Sequence, residues 1–220
     1  MTSSLDVMER VCRVLLPGPA QPELTGLVVV QPTIDGQALW QEHHERWLAA
    51  ARTRFQNVHI LPVPGDWWLR AAECFRVLQG RQIWAVHGGW IEATQPDFAA
   101  DIRERLAMCA ALTQAEQEQA EAEREILRRD IHSQWLPTPA TVAVLPTSPG
   151  PAPLLDAEAD WLKAYRRRLL GLTAPAGLAG LPQLHLPLAL APPQGISLLG
   201  PPGSDRALVD LARELQPAEA

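Results

Sequence analysis

Residues 169–216, LLGLTAPAGLAGLPQLHLPLALAPPQGISLLGPPGSDRALVDLARELQ, decide how the rest of the chain is read. The run opens with small residues over 173–182, a composition that predicts a loop in which Gly177 and Gly180 take backbone angles closed to other residues. Over 183–190, Leu184, Leu186, Leu188 and Leu190 alternate with Gln183, His185, Pro187 and Ala189. This period of two predicts a strand with one apolar face. Pro187 cannot donate to a ladder, so the strand belongs at a sheet edge or turns that position outward. The APPQG turn at 191–195 is too short for a parallel crossover, so GISLL at 195–199 should pair antiparallel with it. After a second turn, GPPG at 200–203, Ser204 and Asp205 are candidate caps for a helix carrying Leu208, Leu211, Ala212 and Leu215 on one face.

Working back towards the N-terminus, the same reasoning gives an alternation of strands and helices. The apolar positions Leu5, Met8, Val11, Cys12, Leu15 and Leu16 have helical spacing, with Ser3 or Ser4 ahead of them as caps and ProGlyPro behind them as a stop. Residues 26–31, GLVVVQ, suit a buried strand, 38–55 a helix, and 58–63, VHILPV, another strand, the order of an α/β unit. Residues 66–78 read as a helix, and 82–90 as its continuation or a second short helix, interrupted by Gly88 and Gly89. A further helix covers 97–108. Thr113 and Glu116 form a capping box for the charged run that follows, whose thin stripe of Ala115, Ala120, Ala122, Ile126 and Leu127 suits a helix lying on a protein surface. Residues 141–146 are a core strand, the proline-rich run to 153 is a shaped loop, and 160–170 is a helix leading into the opening stretch.

With 220 residues, 47% of them hydrophobic and 20% charged, the chain can bury one substantial core. The net charge of -6, without a long basic run, argues against a nucleic-acid platform. No apolar run reaches membrane-span length and the first residues lack the features of a signal peptide, so the expected location is cytoplasmic, with no membrane partner. Cys12, Cys74 and Cys109 are odd in number and lie in helix-like sequence, which suits buried thiols rather than a disulfide frame.

The order T-x-P-x-G-L-A-G-L-P, apolar strand, Pro/Gly turn, G-I-S-L-L-G and G-S-D-R-A-L-x-x-L-A resembles the C-terminal end of amidase signature enzymes. LPTSPGPAP at 145–153 resembles the late proline-rich loop of that family, and residues 5–17 resemble the helix just after its catalytic core. The likeness covers most of this chain and about the latter half of a family member. It implies an α/β fold, the C-terminal part of the amidase signature fold, with a mixed β-sheet flanked by helices in a single amidase-like domain over 1–220. It also implies hydrolysis of carboxamide C–N bonds, with Thr147, Thr173 and Gly177 in the loops that wall the substrate pocket. Many relatives carry Asn where this chain has Gly177, so any side-chain contact from that position is lost.

The family's chemistry uses a serine nucleophile, a second serine bridging through a strained cis peptide, and a lysine base beside a Gly/Ser-rich oxyanion loop. This chain has no GlyGlySerSerGly run. Ser3 and Ser4 lack neighbouring glycines, and Lys163, the only lysine, lies far in sequence from any serine cluster. No catalytic residue is therefore assigned, and the chain alone is expected to be inactive. Adjacent His43 and His44 point about 100° apart on a helix, unlike metal pairs spaced by four, so no metal and no cofactor is expected. His87 reads as a satisfied core or boundary histidine, His185 sits on the polar side of its strand, and Arg166, Arg167 and Arg168 read as a solvated helix face. Of the eight tryptophans, most are expected in the core and some in an aromatic pocket.

The partners expected are an N-terminal amidase half in trans, or a second copy of the chain covering an open sheet edge, and a small amide ligand. The rival reading is a noncatalytic amidase-like module that binds a partner protein or small ligand. A helical scaffold without a sheet is a third, and it requires that the strands do not pair.

Overall fold

Strand β1 (Gly26–Ile34) is apolar on both sides: Leu27 and Val29 face one way, Val28 and Val30 the other, and none is more than 2% exposed. Such a strand needs a helical layer on each face. A computed structural model describes residues 4–16, 23–188 and 194–215, without the side chain of His43, and it shows those two layers. Ser3, the ProGlyPro stop at 17–19, and residues 189–193 of the expected strand and turn lie outside the described residues.

The described elements run α1 (Leu5–Leu15), β1, β2 (Gln37–Ala38), α2 (Glu42–Arg54), β3 (Asn57–Val63), α3 (Gly65–Thr94), α4 (Ala100–Ala111), α5 (Gln114–Asp130), a π turn (Ile131–Trp135), β4 (Thr141–Pro146), α6 (Ala159–Ala179), β5 (Gln183–Leu188), β6 (Gln194–Leu199) and α7 (Asp205–Leu215). The strands form one mixed sheet. β1 lies parallel to both β3 and β4, β4 pairs antiparallel with β6, and β5 pairs antiparallel with β6 at the edge, in the register Leu186↔Ile196. This pairing rules out the helical scaffold without a sheet. Trp47, Leu48 and Ala51 of α2 and Leu208, Leu211 and Ala212 of α7 cover the face carrying Leu27, Val144 and Leu198. Helices α3, α5 and α6 cover the face carrying Val28, Ala143 and Leu199. Trp67, Trp68 and Trp135 pack together there with ring centroids 4.9 to 5.5 Å apart, so these tryptophans belong to the core.

Four local expectations need correction. The helix expected from 38 begins at Glu42, because Asp35 and Gly36, with φ of 52° and 75°, turn the chain back and pair Ile34 with Gln37. Two successive residues at positive φ are the hairpin geometry that an Asp-Gly pair favours. Secondly, α3 runs unbroken through Gly88 and Gly89: glycine costs a helix about 1 kcal/mol but does not stop it.

The third correction concerns 173–179, which form the last turns of α6 rather than a loop. Their small residues serve close approach between helices. A Cβ on Gly171 would lie 2.7 Å from the Trp68 carbonyl oxygen of α3, and one on Gly177 would lie 2.8 Å from the Phe75 ring. Only Gly180, at φ 68°, takes the left-handed conformation, as the residue that ends the helix. Finally, α5 has the expected Thr113/Glu116 capping box, but its buried positions are Ala120 and Leu127, while Ala115, Ala122 and Ile126 are exposed.

Candidate functional site

From β1 the chain passes through α2, on one face, to β3 on one side of β1. It then returns through α3, α4 and α5 to β4 on the other side. The carboxyl ends of the adjacent parallel strands β1 and β4 therefore lead away in opposite directions. In open α/β sheets such a reversal leaves a crevice where ligands bind. A cavity of about 680 Å³ lies there, lined by Gln37 after β1, by Pro149, Pro151 and Leu154 after β4, and by Trp161 and Arg168 of α6.

Each wall has a local cause. The loop after β4 is held at its start by the Thr147 N–H, which donates to the Gly195 carbonyl at 3.0 Å. Further along, the Gly150 carbonyl accepts from the Ser148 hydroxyl at 2.7 Å and from the Tyr165 hydroxyl at 3.2 Å. Burial raises the Tyr165 phenol above its ordinary value, with the nearby Ser148 side chain opposing it, so it stays a neutral donor. Trp161, one helical turn before Tyr165, stacks on it with ring centroids 5.2 Å apart and remains 49% exposed to the cavity. Arg168, a further turn along, donates through Nε to Asp35 Oδ2 at 2.8 Å, tying α6 to the β1–β2 hairpin. Its charge is paired, and the wall it forms suits a neutral, largely apolar ligand.

Thr147 stands at the root of this loop, with its Oγ1 2.8 Å from His185 Nδ1 and 2.9 Å from Ser197 Oγ. Thr173 and Gly177 stand elsewhere: the Thr173 hydroxyl donates to the Leu169 carbonyl at 3.0 Å within α6, and Gly177 lies against Phe75. The structure thus brings Thr147 to the cleft's frame, and it leaves Thr173 bonded within α6 and Gly177 against α3. Lys163 is exposed on α6, 3.7 Å from Asp160. His44 is buried, and its Nδ1 accepts from the Gln41 N–H at 3.0 Å; His87 is exposed on α3 rather than at a core or boundary position. Among the described residues no three His, Cys, Asp or Glu side chains gather as a metal site would require.

Sequence reasoning missed Asp35 and Gln37, and it read Arg168 as part of a solvated helix face where the structure puts it on the cavity wall. The Asp-Gly dipeptide after an apolar strand was the available signal for the first two. For Arg168 the signal was its position with Trp161 and Tyr165 on one stripe of a helix.

No protein-family model matches the chain. It is 31% identical to Amidase 1 of Arabidopsis thaliana over 148 residues, covering 64% of this chain and 33% of that protein. It is 28% identical to the chloroplastic Outer envelope protein 64 of the same plant, covering 67% of this chain and 25% of the relative. The chain therefore spans about a third or less of these relatives' length. Among solved structures, a crystal structure of an amidase superposes with a TM-score of 0.74 at 21% identity, covering 96% of this chain and 50% of the other.

Proposed function

From a chain that resembles the amidase signature family over the C-terminal portion of its members and has the fold of that portion, we propose that it supplies the scaffold and part of the acyl-binding surface of a carboxamide hydrolase. The observation that carries the reading is the position and lining of the cleft. It opens at the reversal point between β1 and β4, it is mostly apolar, and of the two charged residues that line it, Arg168 is neutralised by Asp35 and Glu158 is a carboxylate that would repel another. Such a site selects an uncharged amide over the corresponding carboxylate.

On this reading the nucleophile and base do not come from this chain. Lys163 points to solvent and pairs with Asp160, and no GlyGlySerSerGly loop is present in the sequence. The partner that fits is an N-terminal amidase-like half acting in trans, or a second copy of the chain. Strand β3, NVHILPV, lies beside β1 with no charged residue to discourage further pairing and with Ile60 46% exposed. The same exposed lysine favours the second reading, a noncatalytic module that holds a ligand or partner. A cytoplasmic location remains part of the proposal, and no described helix is long and apolar enough to cross a membrane.

Titration with hexanamide, with hexanoate as the charged control, tests the cleft. Binding of the amide that Trp161→Ala abolishes is expected, and equal binding of both probes, or of neither, overturns the reading. Ammonia release from hexanamide by the purified chain tests the chemistry. None is expected, and turnover lost on replacing a serine of this chain would refute the proposed absence of a nucleophile.

A further inference from the structure

Four polar side chains join the end of β4 to the edge of the sheet. The Gln183 amide donates through Nε2 to Ser197 Oγ at 2.8 Å, Ser197 Oγ lies 2.9 Å from Thr147 Oγ1, and Thr147 Oγ1 lies 2.8 Å from His185 Nδ1. Ser197 is completely buried, so its hydroxyl proton must find an acceptor inside the protein. With Gln183 donating into Ser197, that proton goes to Thr147, and the Thr147 proton goes to Nδ1 of a neutral His185. The chain of bonds has one direction, and every hydroxyl in it is used. Gly195 makes room for it: a Cβ there would lie 2.3 Å from His185 Cε1 and 2.5 Å from the Leu186 carbonyl oxygen.

The Thr147 hydroxyl, satisfied on both sides, has no proton to offer a ligand. Its backbone instead begins the loop in which the Gly150 carbonyl, three residues after Thr147, is held by Tyr165. We infer that His185, Ser197 and Gln183 are positioning residues, which act through Thr147 to fix the proline-rich wall of the cleft. Thr147 serves the site as an anchor and makes no contact with the ligand. The assignment rests on the proposed reading of the cleft only where ligand affinity is concerned; the placement of the loop can be measured without it.

Tyr165 is the only tyrosine in the chain, so 3-fluorotyrosine labelling gives a single ¹⁹F resonance at the far end of the loop. Thr147→Val and His185→Leu are expected to displace this resonance by more than its linewidth. Thr147→Ser, and His185→Asn, whose Oδ1 can accept in place of Nδ1, should leave it near the wild-type position. In the displaced variants hexanamide should bind roughly five-fold more weakly, the effect of one lost hydrogen bond. A resonance unchanged in Thr147→Val and His185→Leu, with only the unfolding temperature lowered, would reduce the four residues to ordinary sheet packing and overturn the inference. If His185→Leu does not fold, Thr147→Val decides alone. A displaced resonance in a protein that binds no hexanamide even as wild type would leave the positioning role standing and remove the ligand assignment.

Discussion

Two stretches rich in proline and small residues, 147–153 and 173–180, look alike in the sequence and end as opposites. The first is a loop, tied at Thr147 to β5 and β6 and at Gly150 to α6. The second is helix almost to its end, with Pro175 inside it and Gly177 set against the Phe75 ring of α3. Composition is the same kind of signal in both, so what differs is the neighbour. The Phe75 ring lies where a side chain at 177 would otherwise stand, and the Trp68 carbonyl does the same at Gly171, two residues before the stretch in the same helix. The first has hydroxyls to receive it. Glycine and proline mark where a chain may depart from regular structure, and the packing decides whether it does.

The largest effect that could break this contrast is at Gly171. In a solvent-facing helix, Gly→Ala gains about 1 kcal/mol. Gly171→Ala should instead lose about 2 kcal/mol, because its Cβ meets a backbone oxygen that cannot move aside. A fall in Tm of roughly 5 °C is expected by calorimetry. Gly89→Ala, with open space around its Cβ, should raise Tm. If the two changes move Tm in the same direction, close approach is not the reason for the glycines of α6.

Next in size is Tyr165→Phe, which unties the loop at Gly150. Ser148 still donates to the same carbonyl, so chemical denaturation should show a loss of about 1 kcal/mol or less. A loss several times larger would mean that the ring, rather than its hydroxyl, holds the wall.

The smallest effect concerns pH. His185 is exposed at the sheet edge, and partial desolvation of its ring pushes the imidazole below its ordinary value, with a backbone hydrogen bond at Ile196 opposing it. Above about 6.5, the usual histidine value, the ring is neutral in both the folded and unfolded chain and contributes nothing to pH dependence. As pH falls through 6.5 the unfolded chain takes up the proton first, so stability declines until the lower, folded value is passed. Urea unfolding between pH 7.5 and 5 should show this decline in the wild type and a smaller one in His185→Asn. Equal slopes would place the titration elsewhere.

Much of the fold was legible because its signals are local. The double-sided apolar run of β1, the alternating leucines of β5 and the Thr113/Glu116 box each specify their element without reference to distant residues. The cleft was less so. Its walls come from a loop and a helix face and from a hairpin more than a hundred residues before them, and the Asp35–Arg168 pair spans 133 positions. Thr147 could be singled out by resemblance, but its bonds to His185 and Ser197 depend on strand register, which no single strand's sequence fixes. Thr173 and Gly177 were read as loop residues because the close passage of α3 was not visible from α6 alone.

Asp35 illustrates how much one side chain can decide. Its backbone makes the hairpin, yet glycine could hold that angle as readily. What glycine could not do is cancel the guanidinium opposite. With Asp35→Gly the turn would survive and Arg168 would lose its partner, leaving Glu158 as the carboxylate on the same cavity wall. The charge of one wall of the recess is thus set from the tip of a two-residue bend.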